Sequence, residues 1–404
     1  MGYTETEREL ALHFRGGMTE GVIPGTGVTL TTRRFRSAAD SSLPDGKEVP
    51  GLFRSLFRSK EVEESNREFS YYIMTPAGCK PESAGGRLSA AGGSSFGGSK
   101  GSRGAIILLH GLNERSWNKY IQWAVRLTAD TGRPVVLFPL AYHMNRSPRS
   151  WIDRHVMMPL VSARTSQLPD ARQSTFVNVA LSTRMTVSPQ RFMLSGYQTI
   201  GDLKKLIGSL RDGMLPGIAA RGPVDIFAYS IGALVTQVML LSEPSPLPDD
   251  SRVMLFCGGS AFNRMNGTSK LIMDSRAFEM LLSFYVGWPS GAMNGSGERL
   301  LRLMNDTPEG EAFYAMTSLQ RLRDLRGRPF SRYGERLKAV TLAGDTVIPP
   351  EAVRETLSGA DVEEWDPGYP CSHESPFPLL SGEKADAADR TFGRLFDKAA
   401  RFLS

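Results

Sequence analysis

Apolar positions along this chain follow two periods in turn. Short unbroken apolar runs read as buried strands: Gly104 to Leu109, Pro134 to Leu140, Val224 to Tyr229, Arg252 to Cys257 and Lys338 to Leu342. Two earlier β-prone stretches, Val28 to Phe35 and Glu68 to Met74, read as antiparallel edge strands, and Val362 to Trp365 as a short last strand. Between the runs the spacing becomes helical. One helix starts at Ser116 with Trp117, Ile121, Ala124 and Val125 on one face and stops near Gly132. Others carry Leu203, Leu206, Ile207 and Leu210, then Leu234, Val235, Val238 and Met239, and finally Phe392, Leu395, Phe396, Ala399, Phe402 and Leu403. Strands alternating with helices imply parallel pairing through right-handed crossovers.

The pattern lapses in four places. Residues 1 to about 27 are weakly patterned, and Phe53 to Phe57 suggests no more than a helical turn. Residues 83–103 are mostly Gly, Ser and Ala, a composition that cannot offset its ordering entropy, so a flexible insertion is expected. It lacks the Gly-Lys-Ser/Thr signature of a phosphate loop. Residues 142–198 contain Pro148, Pro159, Pro169 and Pro189 and predict no clean element, only an insertion over the strand ends. Residues 260–335 predict a second, helical insertion rich in Met, Phe and Tyr. Its run from Ala277 to Trp288 is too apolar to face water on two sides. It is expected to act as a lid, with Phe284 and Trp288 lining an apolar substrate cavity. A homodimer interface is the alternative use of the same residues. The expected organisation is therefore 1–103 as edge strands plus flexible insertion, and 104–404 as the core with insertions at 142–198 and 260–335.

Chemistry concentrates where the strand Val224 to Tyr229 gives way to a helix at Ile231 with Ser230 between them. Ala228 and Gly232 flank it as small-x-Ser-x-small, leaving no loop residues. So abrupt a turn strains the serine backbone, projects its hydroxyl, and leaves the Ile231 N–H at a helix N-terminus, where it can bind an oxyanion. Taken alone, the segment is equally a buried strand–helix junction. A serine hydroxyl becomes a nucleophile only beside a base that a carboxylate orients. Asp345 follows a strand in Gly344-Asp345-Thr346-Val347-Ile348-Pro349, and His373 stands in a loop before the final helix as the only histidine after Asp345. Asp366 is the alternative orienting acid.

These segments resemble the nucleophile elbow, acid loop and histidine loop of the α/β-hydrolase superfamily, in its chain order Ser, Asp, His. The resemblance implies an α/β-hydrolase fold: a mostly parallel central sheet flanked by helices, the two insertions forming a cap. It implies Ser230 as nucleophile, His373 as base and Asp345 as orienting acid. His110-Gly111-Leu112 resembles the superfamily's oxyanion turn, which pairs the N–H of Leu112 with that of Ile231 and leaves His110 structural. His143 and Arg146, after the strand ending at Leu140, are candidates for substrate contact or for tying down the insertion. The implied activity is hydrolysis of an ester or thioester through an acyl-enzyme. A catalytically silent fold used for ligand binding or regulation is the competing reading.

Composition narrows partners more than it names them. The 404 residues carry 48 basic and 42 acidic side chains, a formal charge of +6 spread along the chain, which is no nucleic-acid footprint. Three cysteines at unrelated spacings suggest neither a disulfide framework nor a metal site. No organic or metal cofactor is expected. The polar, acidic opening residues lack a signal peptide's apolar core, and no membrane span is evident, so a cytoplasmic location is expected.

Overall fold

The computed structural model describes residues 2–15, 17–38, 51–57, 60–78, 104–215, 218–287, 296–326 and 330–404. The Gly/Ser-rich segment and Trp288 lie outside the described residues. Nine strands form one sheet: β1 (Gly21–Ile23), β2 (Val28–Arg36), β3 (Glu68–Pro76), β4 (Ala105–Leu109), β5 (Val135–Leu137), β6 (Val224–Tyr229), β7 (Val253–Phe256), β8 (Leu337–Leu342) and β9 (Asp361–Trp365). They lie in the order β1-β2-β3-β5-β4-β6-β7-β8-β9. The first three strands and the β3–β5 junction are antiparallel, and β5 through β9 pair in parallel. This is an α/β-hydrolase fold.

Every residue of β4, β5, β6 and β7 is buried, which is why these strands appear in the sequence as continuous apolar runs without alternation. One face is covered by the helices Tyr3–His13, Asn118–Thr131 and Glu383–Leu403, with Trp123 fully buried among Phe227, Tyr229, Phe256, Phe377 and Phe396. The other face is covered by Gln190–Arg211 and Ile231–Leu241. After β4 the chain steps outward to β5, then crosses back to β6 on the far side of β4. That reversal opens a crevice at the carboxyl ends of β4 and β6, the usual ligand position in an open α/β sheet.

One expectation needs correction. Residues 142–198 are not irregular: they form the helices Arg154–Gln167 and Val179–Val187 and the start of Gln190–Arg211. Pro169 and Pro189 fall at helix boundaries, where a missing N–H costs little, and only Pro159 lies inside a helix. The hydrophobic period is masked because buried arginines occupy core-facing positions. Arg164 pairs with Asp274 at 2.6 Å, with both side chains buried, and so bolts this insertion to the next. In the second insertion Arg321 is likewise engaged. It donates to the carbonyls of Tyr285 (2.7 Å) and Val286 (3.2 Å) and lies over the ring of Tyr314. The weakly patterned first residues form the helix Tyr3–His13 and β1, anchored by few buried side chains, chiefly Tyr3, Leu10 and Ile23.

The second insertion contributes Ser275–Tyr285, Ser296–Asp306, Pro308–Met316 and Leu319–Arg326. The Tyr285 hydroxyl donates to the Pro189 carbonyl (2.8 Å) and accepts from the Met193 N–H (3.2 Å), joining the two insertions again.

At the opposite end of the sheet, Arg133 ties the core to the chain's last residues. Its guanidinium donates to the Asp225 carboxylate, to the Leu403 carbonyl, and to the carbonyls of Ala105 and Pro223 at 3.1 Å each. Both members of the Arg133–Asp225 pair are almost fully buried. Asp225→Ala is expected to lower stability by about 3–5 kcal/mol, because an uncompensated guanidinium would remain in the core. Urea unfolding followed by circular dichroism measures it.

Candidate active site

Ser230 occupies the single residue between β6 and its helix, with φ 55° and ψ −119°. A non-glycine residue in this region is strained, and such strain persists only where the surroundings enforce it. Five of the seven non-glycine residues with positive φ among the described residues stand at the strand ends around the crevice: Asn113, Tyr142, Met144, Ser230 and Cys257. Gly232 is required by close approach, since a Cβ there would lie 2.7 Å from the Cβ of Leu109.

The three candidates for the triad meet. Ser230 Oγ lies 2.7 Å from His373 Nε2, and His373 Nδ1 lies 2.8 Å from Asp345 Oδ2. Asp345 sits in the turn after β8, where its other oxygen accepts the N–H groups of Val347 (3.0 Å) and Ile348 (2.9 Å). All three side chains are buried. Asp366 instead accepts from the Gly368 N–H and is not the histidine's partner. Among the described residues, no backbone acceptor pairs with the N–H of Leu112 or Ile231. Both residues line one cavity, which Ile231 places next in sequence to the serine; Ser230 and His373 are not themselves among its lining.

Sequence reasoning missed a polar network behind these groups. Tyr229 stacks on the His373 ring at 5.6 Å between centroids and its hydroxyl donates to the His373 carbonyl. Glu114 accepts from Lys119 Nζ (2.5 Å) and from the Tyr120 hydroxyl (3.0 Å), and that hydroxyl accepts the Gly111 N–H (2.9 Å). Lys119 also donates to the Glu374 carbonyl (3.0 Å), so one carboxylate links the turn of Leu112 to the loop of His373. No sequence motif announces these partners, because each is an ordinary surface residue type whose role depends on the fold.

The remaining candidates separate. Arg146 is fully buried away from the cavity, bonded to Asp202 (2.5 Å), to Asn66 and to the Pro139 carbonyl, with its guanidinium over Phe69. It ties the loop after β5 to the edge strands. His143 does line the cavity. Phe284 is not among the lining residues, and the second insertion contributes Glu309 and Phe313 instead. Most of the lining comes from the loop after β5 and from residues 181–200. Its free volume is about 60 Å³. Asn113 donates to the carbonyls of Val177 (3.1 Å) and Leu271 (2.7 Å), one on each insertion, and so fastens both to the turn of Leu112.

A family model described as a family of unknown function (DUF6051) matches residues 1–404. The chain belongs to that family. No curated protein matches its sequence. Among solved structures it is similar to a thermostable esterase from Pseudomonas putida ECU1011, at 10% identity over 100% of this chain and 98% of that one, with a TM-score of 0.44. It is similar to carboxyl esterase 2 from the mycorrhizal fungus Tuber melanosporum, at 12% identity over 96% and 90%, with a TM-score of 0.43. It is also similar to a monoacylglycerol lipase from Paleococcus ferrophilus, at 14% identity over 74% and 95%, with a TM-score of 0.36. At these values the likeness bears no weight on the chemistry of the site. No described helix is long and apolar enough to cross a membrane.

Burial holds two histidines beside the site in their neutral form. Desolvation lowers His110 to about 3, and lowers His143 well below the ordinary histidine range, with His110 and Arg115 adding to the effect. Unfolding exposes both to water, where they bind protons near pH 6.5. The unfolded state therefore holds more protons in mild acid, and stability falls as pH drops below about 6.5. Each neutral histidine is expected to contribute a slope of about 1.4 kcal/mol per pH unit between pH 6 and 4. His143→Gln should remove one such contribution, measured as unfolding free energy against pH in wild type and variant.

Proposed function

We propose that this chain is a serine hydrolase that cleaves a carboxylic ester or thioester of a short acyl group. The observation that carries the reading is the unbroken hydrogen-bonded series from Ser230 Oγ through His373 to Asp345, accompanied by two backbone N–H groups, those of Leu112 and Ile231, that meet no backbone acceptor among the described residues. In this scheme His373 Nε2 takes the serine proton as Oγ attacks the acyl carbon. The N–H groups of Leu112 and Ile231 hold the developing oxyanion, each such donor being worth about 2.7–4 kcal/mol in the transition state. His373 then returns the proton to the departing alkoxide or thiolate. Water repeats the sequence on the acyl-enzyme and releases the acid. Asp345 keeps the imidazole with its proton on Nδ1 and stabilises the imidazolium. No cofactor enters the scheme.

The free volume of the adjoining cavity, about 60 Å³, supports a preference for short acyl chains. For comparison, an engineered apolar cavity of about 150 Å³ lodges benzene. 4-Nitrophenyl butyrate is expected to exceed the octanoate in kcat/KM, as spectrophotometric assays would read directly.

A fluorophosphonate probe should label Ser230, located by mass spectrometry of the modified peptide. Ser230→Ala and His373→Ala should each lower kcat by roughly 10⁶-fold with the fold intact, because triad members act as a unit. Asp345→Asn should lower it by roughly 10⁴-fold through the wrong histidine tautomer. Near-normal turnover in Ser230→Ala would sink the proposal.

A further inference from the structure

The cavity beside Ser230 is mostly apolar, with Leu181, Met185, Phe192, Leu234, Val238 and Phe313 among its lining. A plain hydrocarbon group would need nothing else. Yet two polar side chains on its wall carry one unsatisfied group each. His143 is 7% exposed, and its Nδ1 lies 2.8 Å from the Ala141 carbonyl. A carbonyl only accepts, so Nδ1 carries the proton and Nε2 presents a lone pair. Among the described residues, nothing hydrogen-bonds to that Nε2. Arg115 donates through Nη1 to the Tyr142 carbonyl (2.9 Å) and through Nη2 to Asn113 Oδ1 (2.7 Å), and its guanidinium lies over the ring of Trp151. Among the described residues, its buried Nε–H has no acceptor. Leaving such groups unpaired costs about 1–3 kcal/mol each, so a ligand that satisfies them gains selectivity.

The two orphans are of opposite kind: one acceptor and one donor. That pairing decides between ligand chemistries. A carboxylate would suit Arg115, and Arg184 and Arg191 on the same wall, but it has no hydrogen for His143 Nε2, and its charge would face that lone pair. An ammonium would suit the histidine and be repelled by the guanidinium. A hydroxyl both donates and accepts.

We propose that this cavity selects esters bearing a hydroxyl group close to the scissile carbonyl, donated to His143 Nε2 and accepting from Arg115 Nε–H. The inference rests on the serine-hydrolase reading and names the substrate class of that same site. A hydroxyl on the acyl chain and one on the alcohol share this chemistry, and substrate pairs separate them. The neutrality of His143, enforced by burial beside Arg115, keeps Nε2 an acceptor at neutral pH.

The test uses the full chain and two matched pairs: 4-nitrophenyl 3-hydroxybutyrate against the butyrate, and glyceryl monobutyrate against propyl butyrate. The hydroxylated member of one pair is expected to be preferred by about 10-fold in kcat/KM, the size of one neutral hydrogen bond. The pair that responds tells which side of the ester carries the hydroxyl. His143→Phe should reduce that ratio severalfold, leaving only the contact with Arg115, while His143→Gln, whose amide oxygen reaches toward the Nε2 position, should restore part of it. Fluorophosphonate labelling of Ser230 in each variant certifies a folded site. Ratios near 1 in both pairs for the wild type would overturn the inference, as expected if the orphan groups hold only water. So would a preference for 4-nitrophenyl hemisuccinate, or a ratio unchanged in labelled His143→Phe. Failure of the wild type to label or to cleave any ester would remove the hydrolase reading and this inference with it.

Discussion

The geometry of the crevice depends on one backbone constraint. Ser230 must turn a buried strand into a buried helix within a single residue, and it does so at positive φ. The neighbouring chains leave no alternative path. A Cβ on Gly258 would lie 2.6 Å from the Cβ of Ala233 and 3.1 Å from the Ser230 nitrogen, and Gly232 is pressed against Leu109 in the same way. The elbow is therefore clamped between β4 and the end of β7. Strain of this sort costs about 1–3 kcal/mol and survives only in a rigid frame. Its return is directional: the hydroxyl meets His373, and no loop stands between strand and helix that could relax it away.

The remaining groups are positioned relative to that elbow by contacts that run between loops. Tyr229 precedes the serine and holds the His373 carbonyl, so the strand that leads into Ser230 also fixes the loop of His373. Glu114 collects Lys119 and Tyr120, and through them restrains both the turn carrying Leu112 and the loop carrying His373. Asn113 extends the same turn to both insertions. The turn of Leu112, the loop of His373 and the two insertions thus share a single network. Such a network holds the loops in register with one another, as the proposed chemistry would require.

How much of this could be read in advance follows from where the information lies. The strands β4, β6, β7 and β8 are buried along nearly their whole length, so their runs are unmistakable, and Ser230 and Asp345 each follow such an element at a short distance, whereas His373 follows the half-exposed β9 and is marked by its place before the last helix. The insertions were harder to read for an electrostatic reason. Arg146, Arg164 and Arg184 are buried where a hydrophobic residue would mark a core face, and Arg146 and Arg164 are paired with the acids Asp202 and Asp274, remote in sequence. A charged residue at a core position reads as surface until its partner is known. The same applies to the expected role of Phe284: its stretch is apolar because the two insertions pack on each other through Phe278, Leu281 and Tyr285, not because all of it faces a substrate.

The histidine pair at the crevice wall shows how burial alone can set polarity. His110 and His143 lie 5.3 Å apart, and each turns Nδ1 toward a backbone carbonyl, that of Gly111 and that of Ala141. Near one another and near Arg115, neither can carry charge cheaply. Both are thus fixed as neutral rings with an accepting Nε2. In His110 that nitrogen is spent, taking the Leu140 N–H at 3.0 Å and so locking the strand end that begins the cavity wall. In His143 it is left over. Two identical side chains, held in the same tautomer by the same physics, therefore divide into one that builds the wall and one that presents an acceptor beside the cavity it bounds.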